Sequence, residues 1–113
     1  MTQVPEQGDF IYMNFNPQAG HEQAGRRPAL VMSPAPFNEK TGFVFVCPIT
    51  NQKKNYPFEV DIPEGSGVSG VILTDQMKSL DWKSRDLRVK GKAPAVTLME
   101  CSDLIKTILQ MDD

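Results

Sequence analysis

Histidine occurs once among the 113 residues, tryptophan once and cysteine twice. A transition-metal site takes three or four His, Cys or carboxylate ligands, so with His21 alone it would have to be built mainly from carboxylates, and neither metal nor cofactor is expected. Cys47 and Cys101 have no CxxC spacing and no histidine beside them; they read as buried, reduced thiols. Nothing approaches the roughly 20 apolar residues of a membrane span. The start, Met1 to Gly8, carries neither a basic cluster nor an apolar run, so the expected compartment is the cytoplasm, away from any membrane. Linker composition is missing too, and the chain is expected to form one domain over residues 1–113, large enough for a core and small enough for a compact barrel or a single sheet with a helix.

Net charge is also scarce, since 12 basic against 14 acidic side chains leave −2. That total argues against indiscriminate nucleic-acid binding, but the charge is unevenly spread. Lys78, Lys83, Arg85, Arg88, Lys90 and Lys92 are opposed in their window only by Asp81 and Asp86, and Arg26-Arg27 and Lys53-Lys54 add basic pairs in loops. Clustered cations raise the local potential whatever the total. Charge alone leaves two readings open, a solvated face or a surface for an anionic partner.

Short β-branched and aromatic runs dominate the chain. Asp9 to Phe15 reads as a first strand, Arg27 to Ser33 as a second, Phe43 to Thr50 as a third, Tyr56 to Ile62 as a fourth and Val68 to Thr74 as a fifth. Asn38 to Gly42, Asn51 to Asn55 and Pro63 to Gly67 are expected turns. Pro48 has no N–H for a ladder, so the third strand is expected to bend or meet an edge there. Asp75 to Lys92 is broken by charges, as short edge strands or a single helical turn would be. Thr97-Leu98-Met99-Glu100 fits a capping box, and Cys101, Leu104, Ile105, Ile108 and Leu109 then form one apolar stripe on a helix facing the sheet or a partner. Many short strands and one terminal helix give a mainly β fold, a small, strongly bent antiparallel barrel.

The chemistry is crowded into Gly20-His21-Glu22-Gln23-Ala24-Gly25-Arg26-Arg27-Pro28, a polar loop between the first two strands. Glu22 is a proton acceptor, and five positions later Arg27 presents a planar fork of donors matched to phosphate, the pairing that acid-base work on a phosphodiester needs. The competing reading is a surface ion pair on a solvated connection.

Four segments extend this pattern. Gly8-Asp9-Phe10-Ile11 with Phe15-Asn16-Pro17 comes first, then Glu22-Gln23-Ala24-Gly25 with Arg27-Pro28-Ala29. Pro48-Ile49-Thr50 with Tyr56-Pro57-Phe58-Glu59-Val60 follows, and Asp75-Gln76 with Lys78-Ser79 and Trp82 comes last. In order and spacing they resemble the MazF/PemK-type toxin endoribonucleases over most of the chain. The resemblance implies an SH3-like barrel of the CcdB/PemK type acting as a homodimer. It implies a metal-independent toxin of a type II toxin-antitoxin system that cuts single-stranded RNA, chiefly mRNA, at a short sequence and arrests growth. It also implies a MazE-like antitoxin as partner. The alternative with the same fold is a CcdB-like barrel that cuts nothing and inhibits a protein such as gyrase.

Carried over residue by residue, the resemblance makes Glu22 the general base and Arg27 the essential arginine, acting mainly by stabilising charge because a guanidinium is a poor acid. It sets Thr50 at the site, where its hydroxyl either contacts the scissile phosphate or orients the base; the bland reading is a strand-end threonine. Phe15 is either a stacking face for a base or a core side chain, and Trp82 likewise either stacks a base or packs in a core or interface. Asn16, Gln23, Arg26, Gln52, Lys53, Lys54, Gln76 and Lys78 are expected RNA contacts. His21 departs from the family pattern, in which the histidine stands where Arg26 stands here; it is either a proton carrier or a loop bystander.

Overall fold

The computed structural model describes residues 3–16 and 25–111. Seven strands and two helices follow one another as β1 (Asp9–Asn14), β2 (Arg26–Val31), α1 (Ala35–Thr41), β3 (Phe43–Thr50), β4 (Glu59–Asp61), β5 (Val71–Leu73), a 3₁₀ turn (Thr74–Gln76), β6 (Lys78–Asp81), β7 (Arg88–Lys92) and α2 (Ala95–Ile108). Every pairing is antiparallel, in the order β4-β5-β3-β2-β1-β7 with β6 added to β3. The fold is the expected mainly β, SH3-like barrel with a C-terminal helix.

β3 spans the residues expected of it and belongs to two sheets. β2 pairs with Val46 to Pro48, β6 pairs with Phe43 to Val46, and β5 pairs with Ile49 and Thr50. The hand-over between β6 and β5 falls at Cys47-Pro48. A proline that lacks a donor is tolerated where a ladder is interrupted, which is the bend expected there.

Alternation along the central strands builds two cores. Ile11, Met13, Phe15, Ala29, Val31, Val44 and Val46 join Trp82 and Leu87 in one. Phe10, Leu30, Cys47, Ile49, Val60 and Ile72 meet Ala93 and Cys101 in the other. Phe10-Ile11 of β1 and Ala29-Leu30-Val31 of β2 are thus buried on both faces, and these stretches are apolar without a break. From α2, Leu98, Cys101, Leu104 and Ile105 pack on the second core, while Ile108 and Leu109 at the end of the stripe are exposed. Cys47 and Cys101 are free thiols in that core. Burial pushes the Cys101 thiol up to about 12 and Cys47 in the same direction, so both are protonated and inert at neutral pH.

Three expectations are corrected. The residues expected as a turn, Asn38 to Gly42, are mostly helical: α1 starts after Pro34, carries Pro36 in its first turn and ends at Gly42 with φ 75, the proline-first, glycine-last asymmetry of helices. The expected capping box is not one, because Thr97 lies buried inside α2, its N–H donates to the carbonyl of Pro94 at 3.0 Å, and the helix starts after that proline. The fourth and fifth strands contract to three residues each, since turns at Pro57-Phe58 and Gly65 to Gly70 take the flanking residues. Asp75 to Lys92 holds the rest of the 3₁₀ turn and both β6 and β7, where the sequence offered strands or a helical turn as alternatives.

A buried asparagine joins the pieces. Asn38 is fully buried; its Nδ2 donates to the carbonyls of Pro5 and Ser33, both at 2.9 Å, and its Oδ1 accepts from the Ser33 hydroxyl. Its own carbonyl accepts the Trp82 indole N–H at 2.8 Å. The N-terminal segment, the β2–α1 turn and the end of β6 therefore share one residue. Asn38→Ala is expected to lower the unfolding free energy by about 1–3 kcal/mol for each buried carbonyl left without a donor. Urea unfolding checks this, with a lower midpoint at unchanged slope.

Candidate active site

The site forms where β2 begins and β3 ends. The β2–β3 register runs Val31↔Val46, Leu30↔Cys47, Ala29↔Pro48; carried two residues further it sets Arg27 opposite Thr50. On the other side Arg27 faces Met13 of β1, and Pro28 faces Tyr12. Alternation sends Arg27 toward the face of Met13 and Ala29, and Arg26 toward the face of Tyr12 and Pro28. A cavity of about 650 Å³ opens around this strand end, lined by Arg26, Arg27 and Thr50 together with Tyr12, Asn51 and Lys90.

Thr50 is fixed from several directions. It pairs with Val71 of β5, and its Oγ1 accepts the Gln52 N–H at 3.2 Å. Behind it runs Gly70, whose φ of +120 favours glycine, and a Cβ there would sit 2.4 Å from the Thr50 carbonyl oxygen. Gly67 and Gly91 make the same close approach between the Gly65–Gly70 turn and β7: a Cβ on Gly67 would lie 3.1 Å from the Lys90 carbonyl, and one on Gly91 3.0 Å from that of Ser66.

The chemistry-bearing loop starts and ends at a closed neck. Phe15 N–H donates to the Gly25 carbonyl at 2.8 Å, and Gly25 N–H donates to Asn16 Oδ1 at 2.9 Å. Arg85 clamps the same neck, its Nη1 donating to the carbonyls of Asn14 at 3.0 Å and Asn16 at 2.7 Å while its own carbonyl accepts the Asn14 N–H. Arg85 is held in turn by Asp81 at 2.9 Å. Hydrogen bonds from Ser84 and Arg85 keep the Asp81 carboxyl below its usual range, so it is ionised and able to hold the guanidinium. His21, Glu22 and Gln23 lie outside the described residues; Glu22 stands three positions before Gly25 in the chain.

The remaining expected residues divide. Phe15 is 1% exposed in the first core, so of its two readings the core one applies, and Trp82, at 2%, is likewise core. Asn16 is exposed with its side chain committed to the neck. Arg26 lines the cavity and is paired with Asp86 at 3.2 Å. Lys78 on β6 brings its Nζ within 5.9 Å of the Phe15 ring centroid. Gln76 is half-buried in the 3₁₀ turn, and its Oε1 has no hydrogen-bond partner among the described residues. Gln52, Lys53 and Lys54 are exposed just past Thr50; Lys53 pairs with Asp61 at 2.9 Å, and the Lys54 amide is tied to the Glu59 carboxylate. None of the three lines the cavity among the described residues. Sequence reasoning passed over Tyr12 and Lys90, which do. Lys90 was visible only as part of a basic window, and Tyr12 only as a strand residue on the alternate face of β1.

Residues 6–109 match the profile of the PemK-like, MazF-like toxin of type II toxin-antitoxin system. Endoribonuclease toxin MazF of Escherichia coli strain K12 is 49% identical over 88 residues, which cover 78% of each chain. The crystal structure of MazF from Deinococcus radiodurans superposes with a TM-score of 0.94 at 50% identity, over 97% of this chain and 100% of that one. The MazE-MazF complex from the same organism gives a TM-score of 0.88 at 43% identity, over 98% of this chain and 100% of the matched one.

Because a Cβ at Gly70 meets the backbone of Thr50, Gly70→Ala is expected to displace Thr50 and Asn51 and to cost about 1–3 kcal/mol of stability. Amide chemical shifts of those two residues report the displacement, and thermal unfolding reports the cost.

Proposed function

The chain belongs to the family of PemK-like, MazF-like toxins of type II toxin-antitoxin systems, and on that premise we propose how its own residues cut RNA. It is an endoribonuclease, the activity named for its MazF and PemK relatives. The CcdB-like alternative, a barrel that only binds a protein target, is not favoured. One observation carries the residue assignment. Arg27 and Thr50, far apart in sequence, come to one cavity that also takes Arg26 and Lys90, so the phosphate-binding groups of the expected motif converge.

In this reading the Glu22 carboxylate takes the proton of the 2′-hydroxyl beside the scissile phosphate. The 2′-oxygen attacks phosphorus, the bond from phosphorus to the 5′-oxygen breaks, and the departing oxygen takes up a proton from solvent, to which Glu22 returns the one it accepted. The products are a 2′,3′-cyclic phosphate and a 5′-hydroxyl. Charge grows on the non-bridging oxygens as phosphorus becomes five-coordinate, and the Arg27 guanidinium stabilises it through its donor fork. The Thr50 hydroxyl, set at the strand end opposite Arg27, donates to the same phosphate or orients Glu22. No water has to be activated, so the step makes no call on a metal ion. Single strands suit an open cavity lined by cations, where unpaired bases are accessible.

Two protein partners belong to the reading, a second copy of the chain and a MazE-like antitoxin, since MazE accompanies MazF in the Deinococcus radiodurans complex. Exposed apolar side chains suited to an interface are present, among them Phe37, Phe43 and Phe45. The cytoplasm is the compartment in which such a toxin meets its RNA. Among the described residues no helix is long and apolar enough to cross a membrane.

Cleavage of a long RNA, with the ends mapped, tests the assignment. Arg27→Lys keeps the charge and loses the fork, and it should slow scission by about 10²–10³-fold, as loss of one transition-state donor does. Glu22→Gln should fold, bind RNA and slow scission by about 10²–10⁴-fold. Near-normal rates in either variant would remove that residue from its role.

A further inference from the structure

The burial of Phe15 leaves the RNA without the stacking surface that the sequence offered. Among the described residues Tyr12 is the single aromatic side chain lining the cavity at Arg27 and Thr50. Its neighbours on β1, Ile11 and Met13, are fully buried in the first core, whereas Tyr12 alternates to the other face and is half-buried. Pro28 stands opposite it on β2 and Arg88 opposite it on β7. Lys90 Nζ lies 5.8 Å from its ring centroid.

We propose that Tyr12 is the stacking platform for a nucleobase of the RNA strand, in a subsite next to the scissile phosphate. The proposal rests on the reading that the chain cuts RNA at Arg27 and Thr50. A nucleobase has two apolar faces and a polar edge. The cavity offers it an aromatic ring beside Pro28 and Val68, and the side chains of Asn51 and Ser69 on the wall next to Thr50. Arg26 and Lys90 supply positive charge for the phosphates flanking that base. Ring and cation together are the combination by which proteins hold single-stranded nucleic acid. Because Arg27 and Tyr12 line the same cavity, a strand whose cleaved phosphate meets Arg27 has its neighbouring nucleotide within reach of Tyr12.

Two measurements test this. Binding of an RNA made uncleavable by a 2′-deoxy nucleotide at a mapped cut site is titrated with the wild-type protein, Tyr12→Leu and Tyr12→Phe, each checked for folding by thermal unfolding. Tyr12→Leu is expected to weaken binding by about 5- to 150-fold, the range commanded by stacking of one base, and to raise KM by a similar factor with a much smaller change in kcat. Tyr12→Phe, which keeps the ring, should recover most of that loss; a Tyr that merely filled the sheet would show no such split. In parallel, oligonucleotides carrying 5-iodouridine at successive positions around the cut are photo-crosslinked to the wild-type protein. One position next to the cut is expected to give an adduct on Tyr12. This arm holds whether or not the Leu variant folds. If the wild-type protein cuts RNA while Tyr12→Leu binds it equally well, or while every adduct falls elsewhere, the Tyr12 subsite is wrong and the nuclease reading stands. If the wild-type protein leaves RNA whole, both fall.

Discussion

β3 has to ladder with β2 along one edge and change partners from β6 to β5 along the other, and the geometry of the site descends from that requirement. The exchange is placed by Pro48, which has no N–H for a continuous ladder to lose. Beyond it the chain turns with β5 and carries Thr50 to the cavity that Arg27 also lines. Gly70 contributes on the far side, since only a glycine lets the chain pass so near the Thr50 carbonyl.

Around this end the molecule uses backbone and charge where it has no room for a core. Arg85 satisfies the carbonyls of Asn14 and Asn16, and Gly25 closes on Asn16. Both ends of the segment holding Glu22 are thereby tied to β1, while Arg27 is tied to the same strand through the β1–β2 ladder. The proposed mechanism needs a base and a cation at a set separation, and the neck joins Asn16 to Gly25 directly before the strand that carries Arg27. Asp81, ionised and paired with Arg85, ties that neck to the end of β6 and so to the Asn38 hub through neighbouring Trp82.

Much of this was legible in the chain. β3 was fixed by its β-branched and aromatic run, and the bend at Pro48 by the missing donor. Arg27 and Thr50 could be singled out by a resemblance that no composition would have supplied. What failed did so for identifiable reasons. Asn38-Glu39-Lys40-Thr41-Gly42 has turn composition, but Pro34 and Pro36 before it and Gly42 after it bracket a short helix, and the tertiary demand on Asn38 fixes it. Thr97 and Glu100 fit a cap by spacing alone, and Pro94 had already begun the helix. Phe15 and Tyr12 could not be ranked from sequence, because exposure depends on which face of β1 the second core and the cavity occupy. A tyrosine in a strand carries no mark of that.

The central claim is that the nucleophile is the substrate's own 2′-oxygen, activated by Glu22 and attacking a phosphate held by Arg27. It is tested most directly with matched oligonucleotides, one all-RNA and others with a single 2′-deoxy nucleotide placed in turn at each position around the mapped cut, incubated in excess chelator and analysed by mass. The account predicts that the deoxy nucleotide immediately 5′ to the cut abolishes scission while leaving binding nearly intact, that deoxy positions elsewhere matter less, and that the control ends in a 2′,3′-cyclic phosphate and a 5′-hydroxyl. Scission of the strand blocked at that position, a 5′-phosphate product, or loss of activity in chelator that a divalent ion restores would contradict it.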